Sequence, residues 1–278
     1  MGSIFYMGDR LLTSSGIDKK SAREKLEEAI NVCEKHGLVL ALDVVFPREE
    51  LVDDILSFVG EFNIPLFLDS PDPAVRAKAY LRASEMGLKK LSIANGLYVD
   101  SPREELEALR NSGIETSVLM AFDPKDPYTS IEPEKRLQIV RRLLDAARDT
   151  GVKNVLVDTV VLDPSSIYLS GEAIHRIKSE LKLPSGSAPA NALGGATKER
   201  LGVEGTVGVH GGAAAFLRMM GADFVMYGPV SRAKYVAPVV SMVDSLLGYG
   251  LRRSGVRIEG RHPVKTLLKE LQQIFTRG

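Results

Sequence analysis

Asp43, Asp69, Asn95, Asp123, Asp158 and Asn191 share one place in the sequence pattern: each stands at or just beyond the end of a short apolar run. An ionised carboxylate can grip two adjacent N–H groups at once, while a primary amide both donates and accepts. A set of carboxylates and amides with no basic side chain beside it therefore suits a neutral ligand rich in donors. The same oxygens would also suit a hard cation such as magnesium or calcium. Any one of these residues could instead open a loop and cap the helix that follows. Six of them at equivalent places make that a poor account of the set.

Other chemistries find less support. The four histidines (His36, His175, His210, His262) are scattered, and none stands at a zinc-ligand spacing from another His or Cys. There is no Ser-His-Asp order and no G-x-S-x-G elbow. Gly205, Gly208 and Gly211 follow no strand at the dinucleotide spacing, and no lysine-serine pair completes a phosphate loop. The glycine-rich stretch from Gly186 to Gly212 is therefore expected to be a flexible loop before a helix. Cys33 is the only cysteine, so the fold has no internal disulfide and a reducing compartment is expected.

The elements that carry the polar residues alternate. Apolar runs predict strands at Ser3–Met7, Leu38–Val45, Leu66–Leu68, Leu91–Ala94, Ser117–Phe122 and Asn154–Val157, with weaker ones near Leu183–Ala188 and at Asp223–Tyr227. Between them lie helical patterns. In the first, Lys19 to Lys35, apolar Leu26, Ala29, Ile30 and Cys33 repeat at helical spacing, and Gly37 closes it. The others span Glu49–Glu61, Asp72 to Gly87, Ser101 to Gly113, Glu134–Thr150, Gly171–Leu181, Gly212–Met220 and Ser231–Leu247, with an amphipathic tail at 263–275. The strands are apolar on both faces, as parallel strands covered by helices should be. Eight βα units in succession predict a closed (β/α)8 (TIM) barrel more than an open doubly wound sheet, which the short first and poorly marked seventh strands leave as the alternative, and the 278 residues suit one such domain of ~250 residues. The polar strand ends then fall on the face where such barrels carry their sites.

Lys plus Arg (36) equals Asp plus Glu (36), so no overall charge points to nucleic acid. No basic-then-apolar leader and no apolar stretch of membrane-spanning length is present, which makes a cytoplasmic location the expectation. A homodimer through outer helices or the tail is the expected assembly.

With the strands in place, an ordered series of short motifs stands out: Gly2-Ser3-Ile4-Phe5-Tyr6 with Gly8, Leu68-Asp69-Ser70-Pro71, Pro124-Lys125-Asp126-Pro127, Leu156-Val157-Asp158-Thr159, Gly186-Ser187, and Ala222-Asp223-Phe224-Val225-Met226-Tyr227-Gly228-Pro229. The series, over residues 2 to 245, resembles the H-subunit family of tetrahydromethanopterin S-methyltransferase, among the pterin-binding, corrinoid-dependent methyltransferases. The resemblance implies that Asp69, Asn95 and Asp158, with Ser187, hold a reduced pterin, and that Asn191 lies near its methyl-bearing N5. Two departures stand beside it. The family's His-Asn pair after strand seven is Ala190-Asn191 here, and the family's usual amino-terminal extension has no counterpart, so contacts at the barrel bottom are expected to differ.

The implied reaction moves a methyl group between N5 of a methyl-tetrahydropterin (tetrahydromethanopterin or tetrahydrofolate) and cobalt(I) of a corrinoid. N5 must gain positive charge as the methyl group leaves, and the proton would come from water or from Asp43 or Asp123. The corrinoid-binding signature D-x-H-x-x-G is missing, since Gly208 precedes His210 at the acidic position. The expectation is therefore a chain with no tightly bound cofactor and no metal, whose corrinoid arrives on a partner protein. A dihydropteroate synthase-like enzyme and a non-catalytic pterin-binding subunit are the alternatives.

Overall fold

Strands that are apolar on both faces need a layer of helices on one side and a filled interior on the other. The computed structural model, which describes residues 1–14 and 16–276, supplies both. Its strands are β1 (Gly2–Ile4), β2 (Leu42–Val45), β3 (Leu66–Asp69), β4 (Ser92–Leu97), β5 (Thr116–Met120), β6 (Asn154–Asp158), β7 (Ser185–Ser187) and β8 (Phe224–Val225). They pair in chain order, all parallel. The ring closes where β8 meets β1. The Met1 amine donates to the Val225 carbonyl at 2.8 Å, Ser3 N–H to Gly228 at 2.8 Å, and Tyr227 N–H to Met1 at 3.1 Å. The fold is the expected (β/α)8 barrel.

Helices α1 (Lys19–Lys35), α2 (Val52–Val59), α3 (Pro73–Glu85), α4 (Arg103–Ser112), α5 (Pro133–Asp149), α6 (Ser166–Arg176), α7 (Gly195–Met219) and α8 (Ala233–Arg253) form the outer layer, and α9 (Leu267–Phe275) follows. Their starts follow local chemistry. Asp18 caps α1 by accepting from Ser21 N–H at 3.1 Å, Asp72 caps α3 through Ala74 N–H at 2.9 Å, and Pro73 and Pro133 occupy first-turn positions. Buried Leu26, Ala29 and Cys33 turn one face of α1 inward, and Val140, Leu143 and Ala147 do so for α5.

Alternation along the strands divides the core. Leu42 and Val44 face the helices, while Asp43 between them faces the interior. Deep in the barrel, Phe67 of β3 and Phe224 of β8 meet across the ring with centroids 6.4 Å apart. Gly186 makes room for this floor, because a Cβ there would lie 2.2 Å from the Phe224 carbonyl oxygen.

Three expectations need correction. The first strand stops at Ile4 rather than Met7, because Phe5 takes a left-handed φ of 62° and gives its N–H to Asp9 Oδ2 at 2.9 Å, which turns the chain. The fifth ends at Met120, so Asp123 lies three residues out in the loop. The glycine-rich stretch is largely helical. α7 begins at Gly195, with one non-helical residue at Gly202. Buried His210, Gly211, Ala214 and Leu217 give it a packed face, and a Cβ at Gly211 would lie 3.2 Å from Val239 of α8. Close packing against α8 outweighs glycine's poor helix propensity here. Among the described residues, no helix is long and apolar enough to cross a membrane.

Candidate functional site

A strand that ends in a carboxylate delivers it to the rim of the barrel, and the pairing register decides which rim residues meet. Asp69 and Asn95 are register partners on β3 and β4. Between Asn95 and Leu97 the register with β5 shifts, leaving Gly96 as the extra residue. A Cβ at Gly96 would lie 2.7 Å from the Val118 carbonyl, so only glycine fits this bulge. Asn95 is 6% exposed and donates from Nδ2 to Asp43 Oδ1 at 3.4 Å. On β6, Asp158 pairs in register with Gly186, and Ser187 follows on β7 with its Oγ buried and unpartnered.

Asp43, Asp69 and Asp158 lie close enough to feel one another's charge. Burial pushes the Asp43 carboxyl up to about 6, against hydrogen bonds from Ser3 and Asn95 and the nearby amino terminus. Burial pushes Asp69 well above the ordinary carboxylate range, and the Asp43 and Asp158 charges add to it while Arg76 opposes. Asp158 also rises to about 6 through burial, held back by the Val160 N–H on Oδ1 at 2.7 Å and by Arg136. Three carboxylates in one largely dry space resist ionising together unless donors arrive to satisfy them. Such a site stabilises a ligand edge that presents several N–H groups.

The two other residues expected here stand apart. Asp123 Oδ1 accepts from Lys125 N–H at 2.9 Å and its carbonyl from Ser130 Oγ at 3.3 Å, so it shapes its own loop; it is not among the charges that shift the buried three. Asn191 is exposed, at the end of a single turn, Pro189–Asn191, that follows β7. The space beside the neighbouring Ala190 is shared with Arg232. A Cβ added at Gly228 would meet Arg232 Nη1 at 2.9 Å and Ala190 Cβ at 3.1 Å. A longer side chain at 190 would compete with that guanidinium. Among the described residues, no group of three or more His, Cys, Asp or Glu is placed to hold a metal ion.

The sequence reading missed two buried arginines behind this rim. Arg76 and Arg136 each stand three residues after the proline that opens α3 or α5. Arg76 donates to Glu105 from Nε at 2.5 Å and from Nη2 at 3.0 Å, reaches the Ser70 carbonyl beside Asp69, and lies over the Tyr98 ring. Arg136 donates from Nη2 to the Val160 carbonyl at 2.8 Å. The signal was present, because each arginine replaces an apolar residue on an otherwise buried helical stripe. The side chains of Arg76 and Tyr98 also line an open groove of about 420 Å³ between the loops that follow β3 and β4. A separate cavity of about 320 Å³, lined by Cys33, Val225 and Tyr227 among others, touches none of the three carboxylates.

The family model described as "Tetrahydromethanopterin S-methyltransferase MtrH subunit" matches residues 1–259. The tetrahydromethanopterin S-methyltransferase H subunit of Methanococcus maripaludis (strain C5) is 28% identical over 295 residues, covering 96% of this chain and 91% of the relative. Its counterpart in Methanothermobacter marburgensis is also 28% identical, over 96% of this chain and 90% of its own. Among solved structures, Yersinia pestis DHPS with a pterine–sulfa conjugate superposes with a TM-score of 0.60 at 15% identity, over 84% of this chain and 90% of that one. Dihydropteroate synthase of Thermus thermophilus gives a TM-score of 0.57 at 17% identity, over 80% and 89%. At these identities the structures share the fold alone.

Proposed function

We propose a function from one premise: the chain belongs to the tetrahydromethanopterin S-methyltransferase MtrH subunit family. It is then a methyltransferase subunit that binds a methyl-tetrahydropterin and presents the N5 methyl group for transfer. The observation that carries this reading is the convergence of Asp43, Asp69, Asn95 and Asp158 at the carboxyl end of the barrel, with their donor-accepting capacity largely unspent.

The 2-amino-4-oxo edge of a reduced pterin offers adjacent N–H donors. Asp158 accepts them while Val160 N–H holds its Oδ1 in place. Asp69 and Asn95 read the remaining edge, and Ser187 Oγ, buried without a partner, is available to the ring. Ligands lacking the donors would leave buried carboxylates unpaired, which discriminates strongly against them. Asn191, on the loop over the mouth, orients the N5 region once that loop settles on the ligand. Asp43 is a better proton source than Asp123, since burial raises its carboxyl to about 6 whereas Asp123 is committed to its loop.

The methyl acceptor we assign is a corrinoid on a partner protein, which supplies a cobalt(I) nucleophile. Exposed apolar side chains in the loops after β1, β5 and β6 and at the start of α7 (Met7, Tyr128, Leu162, Leu201, Val203) give a docking protein apolar surface to cover. The test is titration of methyl-tetrahydrofolate and methyl-tetrahydromethanopterin into purified protein, followed by addition of cob(I)alamin and observation of the cobalt absorption. One pterin should bind, Asp158→Asn should weaken it by at least tenfold, and Asn191→Ala should mainly slow methylation. If neither pterin binds, the assignment fails. Binding without methylation of free or protein-bound corrinoid would favour a non-catalytic subunit.

A further inference from the structure

A guanidinium without exposed surface must find partners inside the protein or destabilise it. Arg136 is fully buried, yet among the described residues only its Nη2 finds a partner, the Val160 carbonyl, and its Nε and Nη1 have none. Its counterpart in the fold, Arg76, differs. Two of its nitrogens are taken by Glu105, itself 2% exposed. Arg136 forms no such pair. The acidic charges that bear on it are Asp158 and Glu132, and Glu132 is exposed. Burial lowers the guanidinium to about 10 despite both. If Arg136 only filled the stripe that continues through Val140, Leu143 and Ala147, a leucine or methionine would do so without an uncompensated charge.

What Arg136 touches explains why it is charged. Val160 sits at a left-handed φ of 48°, a costly conformation for a β-branched residue. Two hydrogen bonds straddle its α-carbon and hold it there. Its N–H goes to Asp158 Oδ1 at 2.7 Å, and its carbonyl receives Arg136 Nη2 at 2.8 Å. The turn after β6 is thereby locked with one Asp158 oxygen tied back and the other left free. We propose that Arg136 is a positioning residue for Asp158: from behind the barrel wall it fixes the 158–160 turn through Val160 and sets a positive charge behind the carboxylate that meets the ligand. The claim rests on the reading of Asp158 as a pterin-binding group.

The groups that bear on Asp158 are few, and they push in opposite directions. Asp43 on β2 and Asp69 on β3 disfavour its ionisation, Tyr98 after β4 is neutral at physiological pH, and Arg136 on α5 favours the charged form. Removing Arg136 leaves only acidic neighbours. The Asp158 midpoint should then rise by about one unit, the low end of what a nearby arginine commonly contributes.

The decisive measurement follows the Asp158 carboxyl by 13C NMR in the ligand-free protein, identified by its loss in Asp158→Asn. Arg136→Met should raise the midpoint by roughly one unit, and Arg136→Lys should return it towards the wild-type value. In parallel, methyl-tetrahydropterin affinity should fall about fivefold at pH 6 in Arg136→Met and little at pH 8, following the ionised fraction. A well-folded Arg136→Met protein with an unchanged Asp158 midpoint overturns the proposal. Should that variant not fold, the wild-type protein decides it, since the Arg136 Nε–H resonance must track the Asp158 titration and a pH-invariant signal refutes the link. Failure of pterin to bind the wild type would sink the functional reading, while the NMR titration still judges Arg136.

Discussion

Replacing Asp158 with asparagine should make the ligand-free protein more stable at neutral pH while removing the carboxylate we propose as a pterin acceptor. The size of the effect follows from the carboxyl's environment. Burial raises it from 3.8 to about 6, so between those values the folded chain keeps a proton that the unfolded chain releases. Stability from this group is complete below the unfolded value and is lost as pH rises through the folded one. The carboxyl's rise corresponds to ~3 kcal/mol forgone above pH 7. Asparagine is isosteric, keeps an oxygen for the Val160 N–H and carries no charge to bury. Thermal unfolding of both proteins from pH 4 to pH 8 tests this. The melting temperatures should nearly coincide at pH 4 and separate by roughly 5–10 °C in the variant's favour at pH 8. Relief of the repulsion on Asp69 adds to the same gap. A gap independent of pH, or one that favours wild type at pH 8, would refute the claim that Asp158 is held at a cost in stability. Saturating pterin should narrow the gap, because the ligand's donors satisfy the wild-type carboxylate only.

Two further predictions concern the frame around the site. Gly186→Ala places a Cβ 2.2 Å from the Phe224 carbonyl and against its ring, so the β7–β8 pairing must move. A loss of about 1–3 kcal/mol in urea unfolding is expected, together with weaker pterin binding, and an unchanged midpoint would contradict the close packing. Glu105→Gln removes the charge opposite Arg76 inside the protein. It should destabilise by about 3–5 kcal/mol, whereas an Arg76→Leu, Glu105→Leu double variant should lose much less, and equal losses would show that the pair's charge is immaterial.

How far the sequence disclosed the site can be judged from particular residues. Asp43, Asp69, Asn95 and Asp158 were legible because a polar side chain in a both-faces-apolar strand has few places to go except towards the carboxyl-end rim of a parallel barrel, although β2 and β4 run on past Asp43 and Asn95 to Val45 and Leu97. Asp123 looked the same from the sequence. It differs because β5 ends at Met120, and three further residues carry its carboxylate into a loop that uses it locally. The stretch from Gly186 to Gly212 looked like loop because glycine disfavours helix in isolation, and only the presence of α8 beside Gly211 rewards the helix. Arg136 was readable in principle as a charge on an apolar stripe, but nothing in its neighbourhood along the chain names Val160, 24 residues away, as its partner.

The sequence by itself determined the order of eight βα units and placed the polar residues at or near the carboxyl ends of the strands, since periodicity and capping are local properties. The tertiary structure decided which of those residues share a space and in what charge state. Asp43 and Asn95 meet across 52 residues of chain, and the three carboxylates titrate high because burial and mutual repulsion act through space. Desolvation is a property of the closed barrel, which no single segment of the chain possesses.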